Sequence, residues 1–213
     1  MAKKTEAVNV VIPSIDIRNT VIRVVGDTPL IVHKWSEKAK KEILDKQMKK
    51  AKAKGHDAKD PVADFIDTLY WLEGEPEEKT EEGFANAIAN GARFGFPATA
   101  FKQAAIMGAY RAGVGISTTV MKGAFHINCE YIEIKGNVSM REDMVKVGGI
   151  SKVADIRYRA QIENWSANIP VKYNAGVISL EQVVNLFNLG GFSCGVGEWR
   201  TERDGTFGSF HVE

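Results

Sequence analysis

No apolar run in the 213 residues approaches 18, so the chain has no candidate membrane-spanning helix. Cysteine is scarce. Cys129 and Cys194 are the only two and lie far apart, without metal-like spacing, which predicts free core cysteines in a reduced, cytoplasmic setting. The opening MAKKTEAVNVV has cations but no apolar segment behind them, so it does not read as a secretory signal. Four histidines are present, and His56, His126 and His211 have no second ligand at helical or C-x-x-C spacing, so no metal site is expected. The phosphate-loop pattern G-x-x-x-x-G-K-[ST] is missing, which excludes that class of nucleotide hydrolase. GVGEWR follows a helix instead of opening one, unlike the dinucleotide fingerprint. No cofactor is expected.

A surplus of positive charge is also missing. The net charge is +1, whereas a nucleic-acid-binding domain is often clearly basic. The charge is segregated, however. Residues 34–59 hold ten lysines against four acids, and residues 73–82 hold six glutamates against one lysine.

Hydrophobic patterning predicts the elements. The run from Thr20 to Val25, β-branched apart from Arg23, ends at Gly26-Asp27 and reads as the first core strand. Residues 36–54 read as a helix capped by Ser36 and ended by Gly55, with a thin apolar stripe. A second helix over residues 60–72 has Asp60 as its cap and Pro61 at its first position, and an acidic loop follows. Phe96-Pro97 ends an extended piece, and Thr99 caps an alanine-rich helix to Arg111. Residues 123–134 alternate as a strand, as do 153–159 and 162–173, with a glycine-containing connection before Val153. Ser179 and Gln182 form a capping box for a helix stopped by Gly190 and Gly191. A last strand lies near Phe207–Val212. Without residues 36–92 the order is β-α-β-β-α-β, the split unit of RRM and ferredoxin-like folds. The expectation is therefore an α+β chain with an RRM/ferredoxin-like core, one domain over residues 1–213. A long helical, thumb-like insertion at 36–92 follows the first core strand, and a glycine-rich loop closes the C-terminus.

That loop, GGFSCGVGEWRTERDGTFGSF, holds six of the twenty glycines with Trp199, Phe207, Arg200 and Arg203 among them. Glycines let a backbone approach a phosphate, and successive N–H groups form an anion nest. Arginines add charge-assisted contacts, and the rings offer flat faces to bases. The alternative is a glycine-rich hairpin whose aromatics pack into the core.

Three stretches together resemble the RAMP superfamily (repeat-associated mysterious proteins). FPATAFKQAAIMGAYR resembles its proline–small–small–x–x–Lys helix start, ISLEQVVNLFNLGG its second helix, and GVGEWRTERDGTFGSF its C-terminal glycine-rich loop. The resemblance is to the RNA-binding backbone subunit of CRISPR effector complexes, in a stand-alone phage or mobile-element version. It implies sequence-independent binding of single-stranded RNA or DNA, RNA favoured, and self-association side by side into a helical oligomer. Other CRISPR-like subunits are further partners it implies.

The candidate nucleic-acid contacts are His33, Lys34 and Trp35 after the first strand, and Lys102 at a helix start. Arg157 and Arg159 on one strand face, with Trp165 beyond them, read as a base platform. Trp199, Arg200, Arg203 and Phe207 complete the set. No catalytic group is expected. The runner-up is a metal-independent ribonuclease that uses His33, a role the resemblance suggests for a histidine, with Asp27 as a second candidate on the same ground. The other rival is a structural assembly protein that binds no nucleic acid.

Overall fold

The structure, a computed structural model, describes residues 14–35, 37–48, 59–147 and 153–213. Among these, eight strands form one antiparallel sheet: β1 (Ile17–Gly26), β2 (Leu30–Val32), β3 (Tyr70–Glu73), β4 (Arg93–Pro97), β5 (Phe125–His126), β6 (Tyr131–Val147), β7 (Val153–Asn174) and β8 (Phe210–Val212). The order is β3-β4-β6-β7-β1-β8, with β2 and β5 also on β7. Six α-helices join them: α1 (Glu37–Gln47), α2 (Pro61–Asp67), α3 (Glu81–Ala89), α4 (Ala98–Arg111), α5 (Thr118–Ala124) and α6 (Leu180–Ser193). The chain is thus a mixed α/β structure built on a curled antiparallel sheet.

Strand alternation sets the layers. Ile22 and Val24 of β1 and Ala167, Ile169, Val171 and Tyr173 of β7 are buried, while Val21, Arg23, Asn168, Pro170 and Lys172 between them are exposed. The buried side joins one core with Phe101, Ala105 and Ile106 of α4 and Val183, Leu186 and Phe187 of α6. Both long helices therefore cover one face, and the opposite face is open. β2 continues β1 along β7 after the turn at residues 27–29: β1 pairs with residues 166–174, β2 with 160–162, and β6 and β7 shift register between Lys135 and Asn137. Asn164, at φ 49°, marks the opposing irregularity. Beside it Trp165, 0% exposed, donates its indole N–H to the Thr28 carbonyl at 2.8 Å.

Several sequence expectations are corrected. The helix expected over 60–72 stops at Asp67, and Tyr70–Glu73 is a strand, because its Tyr70 and Trp71 pair with Gly95 and Phe94. The segment 36–92 is therefore not wholly helical, since β3 adds to the sheet through β4. Residues 123–134 are the end of α5, a two-residue strand and the start of β6 rather than one strand. Of the glycine-containing connection before Val153, residues 140–147 are strand, and 148–152 lie outside the described residues. β6 runs to Val147 and β7 starts at Val153, so the two expected strands at 153–159 and 162–173 are one. Gly190 and Gly191 do not end α6, which continues to Ser193. Its Ser179–Gln182 capping box is present, as is the Asp60 cap of α2 with Pro61 in the first turn. Pro97, not Thr99, stands at the cap of α4. Of the basic helix expected over 36–54, Glu37–Gln47 is observed with Ile43 and Leu44 exposed, and the Ser36 cap, residues 49–54 and the Gly55 stop lie outside the described residues.

Candidate nucleic-acid interface

The glycine-rich tail folds back on itself. Val196 N–H donates to the Gly208 carbonyl at 2.9 Å, Phe207 N–H to Trp199 at 3.1 Å, and Glu198 N–H to Ile31 of β2 at 3.0 Å. Gly208 sits at φ 70°, and a Cβ there would fall 1.8 Å from the Val196 carbonyl oxygen, so no other residue fits. The expected anion nest is not left open. The N–H groups of Gly195, Gly205 and Gly208 already donate to the carbonyls of Gly190, Arg200 and Pro29.

The tail's rings lie on arginines of the β6–β7 hairpin. Arg141 and Arg159 are directly opposed across the two strands. The Arg141 guanidinium stands 4.7 Å from the Phe207 ring centre, and that of Arg159 stands 5.9 Å from Trp199. Carboxylates tie the cations together. Asp143 accepts from Arg141 Nε at 2.8 Å and from Arg159 Nη1 at 3.0 Å. Glu198 Oε2 lies 3.0 Å from Arg159 Nε, out of line for a hydrogen bond. Its other oxygen is 3.0 Å from His33 Nδ1. The chain Arg141–Asp143–Arg159–Glu198–His33 thus pins the tail to the hairpin. Burial alone would raise the Glu198 carboxyl, but the His33 hydrogen bond and the Arg159 charge hold it below its ordinary value.

This geometry revises several expected contacts. Arg159 is 3% exposed and spent on two carboxylates, so it offers nothing to a strand. Trp165 is in the core, because the Asn164 irregularity breaks the alternation that would have turned it outward beside Arg159. Arg200 donates Nε and Nη2 to Glu202 and Nη1 to the Gly197 carbonyl. Phe207 has one face on Arg141. Arg157 lies 3.5 Å from Asp155. Arg203 is exposed, and its guanidinium has no partner among the described residues. Trp199 keeps part of its ring in solvent, and Trp35 is 61% exposed. Lys34 is half-buried beside it, its N–H on the Thr68 carbonyl. Lys102 lies one turn inside α4, its ammonium on the Lys122 carbonyl at 3.0 Å. Asp27 pairs with His211 Nδ1 at 2.6 Å, while His33 pairs with Glu198.

His33 lines a groove of about 200 Å³ between α4 and the tail, with Tyr70, Gln103, Met107, Glu198 and Arg200. A second, shallower groove of about 320 Å³ lies on the open sheet face, lined by Asn19, Thr20, Val21, Asn128, Pro170, Val171 and Lys172. Sequence reasoning missed Glu198, Asp143 and Arg141. Glu198 was legible only as one acid inside a glycine-rich segment, and Asp143 sat in a stretch read as a connection.

No family model matches the chain, and no curated protein matches it. Among solved structures, the crystal structure of Cmr6 from Pyrococcus furiosus is similar over 94% of this chain and 100% of that one, with 9% identity and a TM-score of 0.37. A likeness that loose assigns neither family nor function. No helix among the described residues is long and apolar enough to cross a membrane.

Proposed function

We propose that this protein binds single-stranded nucleic acid independently of sequence and assembles side by side along the strand. One observation carries the reading: the sheet has both long helices on one face and leaves the other face open over β1 and residues 166–174 of β7. The order β6-β7-β1-β8, with α4 between β1 and β6 and α6 between β7 and β8, supports an RRM-like split unit within the larger sheet. In folds of that kind the helix-free face is the platform for single strands. Here its centre carries Val21, 62% exposed, opposite Pro170, an apolar shelf without ring hydrogen-bonding groups. Such a shelf accepts any base, which suits binding without sequence choice. RNA is favoured by the RAMP resemblance of the three sequence stretches. His33, Lys34, Trp35, Lys102, Trp199 and Arg203 are the proposed outlying contacts.

Assembly rests on charge. Glu77, Glu78, Glu81 and Glu82 are exposed around the start of α3, and the lysines of residues 34–59 form the complementary block. Exposed pairs are each worth about 1 kcal/mol or less, so several must act in parallel once a strand aligns neighbours. Fluorescence anisotropy with random-sequence single strands tests both parts. Long strands bind cooperatively and short ones do not, all sequences bind alike, and affinity falls steeply with salt. A protein with the four glutamates reversed to lysine keeps short-strand binding and loses cooperativity. Filaments that form with no strand bound would support the structural rival instead.

The ribonuclease reading keeps one observation in its favour. Glu198 holds His33 Nδ1, which leaves Nε2 free to move a proton. Under that reading, incubated RNA acquires cyclic phosphate ends that His33→Ala abolishes.

A further inference from the structure

Most arginines among the described residues are matched by carboxylates. Arg18 pairs with Asp16, Arg23 with Glu213, Arg93 with Glu73 and Glu133, and Arg200 with Glu202. One corner of the open face instead gathers two lysines that no carboxylate among the described residues meets. There β5 joins β7, and β7 joins β1, so that His126, Lys172 and Asn19 form a row across three strands. All three are exposed, and directly paired residues of antiparallel strands point to the same side. Lys102 reaches the row from α4. Its Nζ lies 3.3 Å from His126 Nδ1 and 5.5 Å from the Phe125 ring centre. A protonated amine only donates, so Nδ1 accepts and Nε2 carries the imidazole hydrogen. Lys172 has no partner among the described residues. Burial pushes the Lys102 ammonium below its usual range, and no carboxylate opposes it. The groove of about 320 Å³ adjoins this row and adds the Asn128 amide to the Asn19 amide and the Lys172 ammonium.

We infer that this corner is a phosphate site, with Lys102, His126 Nε2 and Lys172 as donors and the Asn19 and Asn128 amides beside them. Two ammonium groups and an imidazole N–H gathered without an acid suit an anion that presents several oxygens. Resting on the single-strand reading above, the phosphate is a phosphodiester of the bound strand. The neighbouring base then lies on the Val21–Pro170 shelf one step along the same two strands.

The test follows the ring resonances of His126, assigned with His126→Gln, at fixed pH and ionic strength. Inorganic phosphate is added first, then a short oligouridylate, with chloride as the control. Phosphate shifts His126 saturably and chloride does not. Lys172→Gln, an exposed substitution that leaves the fold alone, weakens the phosphate response about tenfold, as loss of one charge-assisted contact requires. Lys102→Met keeps the packed stem and does the same. If phosphate gives no saturable shift while the oligonucleotide still binds equally to both variants, the site is wrong and the strand reading survives. If phosphate saturates and both variants weaken it, but no oligonucleotide binds, the site stands and the strand reading fails.

Discussion

Gly190 of α6 and Gly108 of α4 mark the closest approach of the two long helices. A Cβ on Gly190 would lie 2.6 Å from the Ala104 carbonyl carbon, and one on Gly108 would lie 2.5 Å from the Gly190 nitrogen. The glycines are there to let two backbones meet, and the meeting holds both helices on one side of the sheet. In an exposed helix Gly→Ala gains about 1 kcal/mol from propensity. Here Gly190→Ala instead costs about 1–3 kcal/mol, because the helices must part. Urea unfolding reads the sign directly, and a gain in stability would show that the helices separate freely.

Arg159 holds the tail to the β6–β7 hairpin through Asp143 and Glu198. Arg159→Met leaves each carboxylate with one remaining partner. The loss is about 2–4 kcal/mol, below the figure for a fully buried pair because Glu198 is partly solvated. Urea unfolding measures it. Trp199 fluorescence shifts as well, since its cation is gone. A variant as stable as the parent would mean the tail is held by its backbone hydrogen bonds alone.

The depressed Glu198 carboxyl makes part of this stability depend on pH. A group whose folded value lies below its unfolded value of about 4.3 stabilises the fold above that pH, and the benefit fades as pH falls through the folded value. The stability gap between the parent and Glu198→Gln is therefore full at neutral pH and narrows below about pH 4. A gap that stays constant down to pH 3 would contradict the pairing.

The two tail arginines behave differently. Arg203→Ala weakens binding of all strands alike and lowers the salt slope by about 0.7, the share of one phosphate on a single strand. Arg200→Ala lowers stability more than it changes the slope, because its guanidinium is held by Glu202 and the Gly197 carbonyl. Equal slope changes from both variants would show that Arg200 leaves Glu202 when a strand arrives.

Local signals were legible where a short rule governs them. The Ser179–Gln182 box and the Asp60-Pro61 start are capping chemistry that neighbouring residues decide. The alternation expected over residues 162–173 is legible for the same reason and holds over 167–173. Trp165 was misplaced because the Asn164 irregularity shifts the phase of β7, and nothing around Asn164 announces it. Gly190 and Gly191 read as a helix stop in the sequence, since a glycine pair has the same local signature whether it ends a helix or admits a neighbour. Glycines and aromatics in the tail suggested a phosphate loop, yet Trp199 and Phe207 rest on Arg159 and Arg141, about 40 to 65 residues away in sequence. The row of His126, Lys172 and Asn19 comes from three strands in register, which composition does not reveal.

Whether a single strand lies on the open sheet face is tested most directly by photocrosslinking. A thiouridine-substituted single-stranded RNA is irradiated with the protein, and the adducts are mapped by mass spectrometry. Adducts on the β1 and β7 residues around Val21, Pro170 and Lys172, suppressed by an excess of unmodified strand of any sequence, are the predicted result. Adducts confined to the α4–α6 side, or none at a salt concentration where a known single-strand-binding protein crosslinks, would contradict it.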